Sequence, residues 1–116
     1  MRPESAKYFH DIRVAAEKVA TFTEGCDFAR YSRDDFLRSA VERQFEIIGE
    51  ALAQLARLDP ATASRISDHA RVIAFRNILI HGYAEVDARI VWDIVTTKLP
   101  GLRKQVEDLI REAGAP

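Results

Sequence analysis

Arg76, His81 and Tyr83 occur together in the run Arg76-Asn77-Ile78-Leu79-Ile80-His81-Gly82-Tyr83. A guanidinium, an imidazole and a phenol at this spacing could grip a phosphodiester and move protons on it. The apolar residues Val72, Ile73, Phe75, Ile78, Leu79 and Ile80 predict a largely buried helix carrying the cluster. Gly82 is expected to end that helix, because glycine takes the left-handed conformation one position past a last turn at little cost. His81 then sits where unpaired carbonyls leave the helix, a negative end that favours imidazolium. Asn77 lies four residues before His81 and shares its face, whereas Arg76 is rotated away and must reach round.

A second copy of the helix across a two-fold axis would bring two arginines and two histidines to one groove. Such a groove suits RNA cleavage without metal. One imidazole takes the proton of a ribose 2′-hydroxyl, the other protonates the leaving oxygen, and guanidinium stabilises the phosphorane. The product would be a 2′,3′-cyclic phosphate. No metal is assigned, because the three histidines fall at positions 10, 69 and 81 without the spacing of a ligand set.

Each residue also has a plain structural reading. Arg76 could form an ion pair, His81 could cap helix carbonyls, and Tyr83 could seal the core with its hydroxyl outside. Glu42, Glu46 and Glu50 recur every four residues and read as a solvated or ion-paired helix face. Gly49 lies among Phe45, Ile48 and Leu52, where it weakens the helix, and so points to a close helix approach. Trp92 reads as a core or interface anchor.

The elements that must position this cluster are helical throughout. Pro3-Glu4-Ser5 starts a first helix with Tyr8, Ile12, Ala15, Ala16, Val19 and Phe22 on one side, ending near Thr23. Glu24 to Asp27 reads as a turn, and Ser32 with Asp35 resembles a capping box for a long second helix. That helix carries Phe36, Leu37, Ala40, Val41, Phe45, Ile48, Ala51, Leu52 and Leu55 and stops at Asp59-Pro60. A single turn is expected within 61–67. Asp68 offers a side-chain cap to the motif helix, and Asp87 caps a later helix through Ile90, Val91, Ile94 and Val95. Leu99-Pro100-Gly101 suggests a kink or break before Leu102, Val106, Leu109 and Ile110. No segment alternates as a strand does, so the expected fold is an all-α, antiparallel four-to-five-helix bundle filling one domain, 1–116.

Composition narrows the setting. A chain of 116 residues supports one core. No apolar run reaches the length of a membrane span, and the N-terminus lacks the hydrophobic segment of a secretory signal, so a cytoplasmic protein is expected. The lone Cys26 agrees. A net charge of −1 offers no global attraction to nucleic acid. Binding would need a local patch, for which Arg57, Arg65, Arg71 and Arg76 with His69 and His81 are candidates against Asp59 and Asp68.

Arg76, four intervening residues, His81, one residue and Tyr83 match the signature of HEPN domains, and the chain resembles the HepT-like ribonuclease toxins of that superfamily. The likeness extends over Val41-Glu42-Arg43, Glu46-Ile47-Ile48-Gly49-Glu50-Ala51, Val86-Asp87 and Ile90-Val91-Trp92-Asp93-Ile94-Val95 to Leu99-Pro100, roughly residues 5–110 in order. Ala74-Phe75 stand where relatives commonly carry Gly-Met. The resemblance implies a homodimer, or a higher assembly, whose paired motif helices act on RNA such as tRNA or mRNA. In it Arg76 and His81 would be catalytic and Asn77 supporting, with no cofactor. It also implies a nucleotidyltransferase antitoxin that transfers AMP to Tyr83, placing bulk and negative charge where an RNA phosphate would bind. Two other readings stand beside the toxin. One is a non-catalytic HEPN subunit that docks on a nucleotidyltransferase or binds nucleotide, and the other a purely structural bundle in which His81 is only a cap.

Overall fold

The structure is a computed structural model that describes residues 1–81 and 86–114. These residues form α1 (Ser5–Phe22), α2 (Phe28–Arg33), α3 (Asp35–Leu58), α4 (Pro60–Ala63), α5 (His69–His81), α6 (Ala88–Asp93), a π-helical stretch at Ile94–Lys98, and α7 (Leu99–Gly114). There is no strand among the described residues, so the expected all-helical class is met.

Carboxylates cap the starts of α2, α3, α4 and α6. Asp27 accepts from the backbone N–H of Arg30 at 2.8 Å to open α2, a short helix that follows the expected turn at Glu24 to Asp27 and precedes α3. Asp34, in extended backbone, accepts from Leu37 at 3.0 Å to open α3. It takes the place expected of Ser32, whose hydroxyl instead donates to the Ala29 carbonyl within α2. A carboxylate immediately ahead of the apolar stripe is the better-placed acceptor. Phe36 was expected in that stripe but is 91% exposed. The buried row begins at Leu37 and continues through Val41, Phe45, Ile48, Leu52 and Leu55, leaving Phe36 about 100° round the helix from it.

Two further starts differ from expectation in one case and agree in the other. Asp87 accepts from Arg89 at 2.9 Å and caps α6 as expected. Asp68, at a φ of 60°, directs its carboxylate to Lys98 Nζ at 3.5 Å, while its carbonyl accepts from Val72. The break expected at Leu99-Pro100-Gly101 is absent. Pro100 has no N–H to return to the preceding turn, and the π-helical stretch carries the ladder past it, with Leu99 N–H donating to the Ile94 carbonyl. The hydroxyls of Thr96 and Thr97 bond the carbonyls of Trp92 and Asp93 along this stretch.

α1 runs antiparallel to α3 and to α7. Its start meets the end of α3, where Asp59 accepts from the Arg2 N–H and the Ser5 hydroxyl, each at 2.9 Å. Its first turns share a crevice with Ile110 and Ala113, and its middle shares one with Arg103 and Val106. Phe9, Ile12, Phe45, Ile48, Leu52, Leu55 and Val106 fill the space between these helices, each fully or almost fully buried. Burial of side chains this size is worth about 1.5–3 kcal/mol apiece. Tyr31 and Trp92 stack with ring centroids 5.2 Å apart and extend this core to α2 and α6, giving Trp92 the anchoring role expected of it.

The motif helix α5 is not largely buried, contrary to the sequence expectation. Only Phe75 is buried, edge-on to Phe45 at 5.8 Å, while Ile78 is 58% and Ile80 47% exposed. Apolar residues occur all round α5, and α3 can cover one side of it. The covered side depends on Gly49, as the sequence suggested. A Cβ built there would stand 2.2 Å from Arg76 Cβ and 3.3 Å from the Val72 carbonyl oxygen.

Two predictions follow from these contacts. Gly49→Ala should lower stability by about 1–3 kcal/mol, because the atom it strikes is the root of a side chain and α5 must lift off α3; urea denaturation of both proteins measures this. The second concerns acid. The Arg2 N–H, with the Thr62 and Ser5 hydroxyls, holds the Asp59 carboxyl well below the usual carboxylate range despite its burial. A depressed native value means that stability is fully present above the unfolded value of about 3.9 and lost as pH falls below it. Asp59→Asn should therefore melt lower than wild type at neutral pH, with the gap in Tm closing as pH falls below about 4.

Candidate active site

Arg76 leaves the inner side of α5, and its stem crosses α3 over the bare backbone of Gly49. Its Nη1 reaches Glu50 Oε2 at 3.0 Å, and its side chain is 18% exposed. The Nε is buried and has no hydrogen-bond partner. Glu50 is engaged on both oxygens, since Oε1 accepts from Gln54 Nε2 at 3.0 Å. A polar relay thus runs along α3 from Gln54 through Glu50 to the guanidinium. Arg76 keeps further N–H donors with which to meet an anion, because a guanidinium carries five.

His81 ends α5 and is exposed, as is Asn77 one turn earlier. The structure therefore places Asn77 and His81 outward and Arg76 toward α3. Among the described residues no hydrogen bond joins Arg76 to His81 within one chain. Tyr83 and Gly82, expected as the modification site and the helix terminator, lie outside the described residues.

The acidic row is the ion-paired face that was expected at two of its three positions: Glu46 meets Arg43 at 3.1 Å and Glu50 meets Arg76. Glu42 is half-buried beside Tyr31, and burial pushes its carboxyl up while Arg38 opposes that shift. Burial likewise drives the Tyr31 phenol above its ordinary range, reinforced by the Glu42 charge. The basic patch is partly neutralised within the chain. Arg65 pairs with Glu112, Arg76 with Glu50, and Asp68 with Lys98, whereas Arg57 and Arg71 are exposed and make no ion pair among the described residues.

Two cavities flank α5. One, of about 450 Å³, lies between α5 and the π-helical stretch, lined by Val72, Phe75, Ile94 and Leu102 under Arg71 and Lys98, and contains neither Arg76 nor His81. The other, of about 520 Å³, lies between α1, α3 and Ile80 and includes Glu50, so it adjoins the Arg76 ion pair. No group of three His, Cys, Asp or Glu residues is close enough to hold a metal among the described residues. None of the helices described is long and apolar enough to cross a membrane.

Sequence reasoning singled out Arg76, Asn77 and His81 as candidates but not the partners of the arginine. Gly49-Glu50 was the available signal: a glycine inside an apolar stripe, followed by an acid, marks where a long cation can lie against the helix and be held.

Comparison of the sequence with known proteins gives the family. The pattern of the HepT-like ribonucleases matches residues 12–109. A Thermococcus cleftensis protein named "Probable ribonuclease HepT" is 34% identical over 113 residues, covering 94% of this chain and 98% of its own. Methanocaldococcus jannaschii has a protein named "Putative RNase MJ1380" that is 33% identical over 100 residues, covering 86% of this chain and 91% of its own. A third, named "Putative RNase TTE0752", from Caldanaerobacter subterraneus subsp. tengcongensis, is 30% identical over 105 residues, or 90% and 93% of the two chains. No solved structure matches significantly. With its arginine seated on α3, its histidine exposed at the end of α5 and its sequence matched along most of its length, the chain belongs to the HepT-like ribonuclease family.

Proposed function

We propose that the chain is the toxin of a cytoplasmic toxin–antitoxin pair, a metal-independent endoribonuclease that cuts RNA such as tRNA or mRNA as a homodimer. The observation that carries this reading is the placement of Arg76 and His81 on α5 together with Ile78, which lies on the His81 side of the helix and is 58% exposed in the single chain. Pairing two α5 helices through that side would bury Ile78 and bring both histidines to a common cleft.

In that cleft one His81 accepts the proton of a ribose 2′-hydroxyl as its oxygen attacks phosphorus, and the partner's His81 gives a proton to the departing 5′-oxygen. Arg76 neutralises charge on the phosphorane, and Asn77 hydrogen-bonds the phosphate or the imidazole. The bond formed closes a 2′,3′-cyclic phosphate, and the bond broken frees a 5′-hydroxyl. A nucleotidyltransferase antitoxin would silence the site by moving AMP from ATP to Tyr83, with pyrophosphate leaving. The balanced charge and the internal pairing of Arg65 and Arg76 favour a second reading, a non-catalytic HEPN subunit that docks on the nucleotidyltransferase or binds nucleotide.

Cleavage assays on tRNA and mRNA in EDTA separate the two. On the first reading, His81→Ala and Arg76→Ala each lose roughly 100-fold or more in rate, the scale of one general acid–base group; equal activity in wild type and His81→Ala would exclude it. Ile78→Glu should sediment as a monomer and lose cleavage together with the dimer. With antitoxin and ATP, intact mass should show AMP added to wild type and not to Tyr83→Phe.

A further inference from the structure

We propose that the groove between α1, α3 and Ile80 is a nucleobase subsite that selects guanine beside the cut phosphodiester, an inference that rests on the ribonuclease reading for its biological use. Its position is the first argument. Glu50 lines it and holds Arg76, and Ile80, the neighbour of His81, closes one end. A volume of about 520 Å³ lies within the range of clefts that enclose small ligands.

Its lining fits a base better than a phosphate track. Lys7, Tyr8 and Asp11 lie on one face of α1, and Glu46, Glu50 and Gln54 face them from α3. The three carboxylates outnumber the two cations, Lys7 and Arg43, and Arg43 is already paired with Glu46. With Arg76 counted against Glu50, the groove has no net positive charge to hold a phosphate chain, whereas a neutral base with N–H donors needs none.

Two side chains supply the specificity. Tyr8 is half-buried and offers a ring for stacking, with Lys7 Nζ 5.6 Å from its centroid. Asp11 is half-buried and makes no hydrogen bond or ion pair among the described residues, although Lys7 stands one turn away. Its oxygens are free to accept from a donor that enters the groove. Guanine presents two adjacent donors, N1–H and N2–H, that match the two carboxylate oxygens in parallel. Uracil turns carbonyl oxygens toward the same group on both sides of its single N–H and is repelled.

The groove also communicates with Arg76. Glu50 is shared between Gln54, inside the groove, and the guanidinium. A base bonded to Gln54 alters the hold of Glu50 on Arg76, which ties base recognition to the charge presented to the phosphate.

Titration of the full chain with GMP and UMP, followed by calorimetry, tests this without requiring catalysis. The expected result is GMP binding roughly 10-fold or more tighter than UMP, within what one bidentate base contact discriminates. Asp11→Asn should bring the two within about 3-fold while Tyr8→Ala weakens both, as loss of a stacking ring should. Equal affinities in wild type, or an unchanged preference in Asp11→Asn with its thermal unfolding intact, overturn the subsite. GMP preference without any RNA cleavage would keep the subsite and remove the nuclease; cleavage without GMP preference would do the reverse.

Discussion

The close seating of Arg76 on α3 is the constraint from which the site is built. An arginine carries a long hydrocarbon stem and a charge that resists burial, so it is stable only where the stem lies on apolar or bare surface and the head finds counter-charge. Gly49 supplies the bare surface and Glu50, the next residue, supplies the counter-charge. Chemically the guanidinium belongs to the motif on α5, but its position is set by α3, the most deeply packed helix of the fold. Rotating α5 about its own axis would cost this seat, and with it the outward direction of Asn77 and His81.

That same seat explains why α5 looks unfinished. With Phe75 and the Arg76 stem committed to α3, the residues on the other side of the helix have no cover in one chain, and two isoleucines stand about half exposed or more. Of the two, Ile78 lies on the side of His81, whereas Ile80, two residues on and about 200° round the helix, lies beside the groove with α1 and α3. Since the net charge gives no long-range pull on RNA, the proposed groove between two copies would serve to concentrate positive charge locally.

Much of this was legible in the sequence because helical periodicity and capping chemistry are local. α1, α4, the Asp87 cap of α6 and the glycine at the α3–α5 contact were readable from residues within one or two turns of each other. What escaped was either a competition between near neighbours or a contact across the fold. Asp34 outcompeted Ser32 for the cap by a difference of two positions. The π-helical stretch absorbed Pro100 where a proline rule predicts a break. The burial of α5 was misjudged because an apolar helix reads the same whether its second face meets its own chain or another. The pairing of Arg76 with Glu50 joins residues from different helices, and no spacing rule reveals such a pair.

The ion pair raises a question of competition that magnitudes can decide. A phosphate entering the site must share Arg76 with Glu50 or displace it. An ion pair with one half-exposed partner is worth at most about 1 kcal/mol, because water and salt screen the carboxylate and holding both side chains costs entropy. Charge-assisted hydrogen bonds from a guanidinium to phosphate are about twice as strong as neutral ones and form two at a time. On the proposed reading, exchange of Glu50 for a phosphate would be favourable once the phosphate is delivered, while in the single chain Glu50 holds the arginine extended over Gly49. Through its bond to Gln54, an occupant of the neighbouring groove would weaken or strengthen that hold.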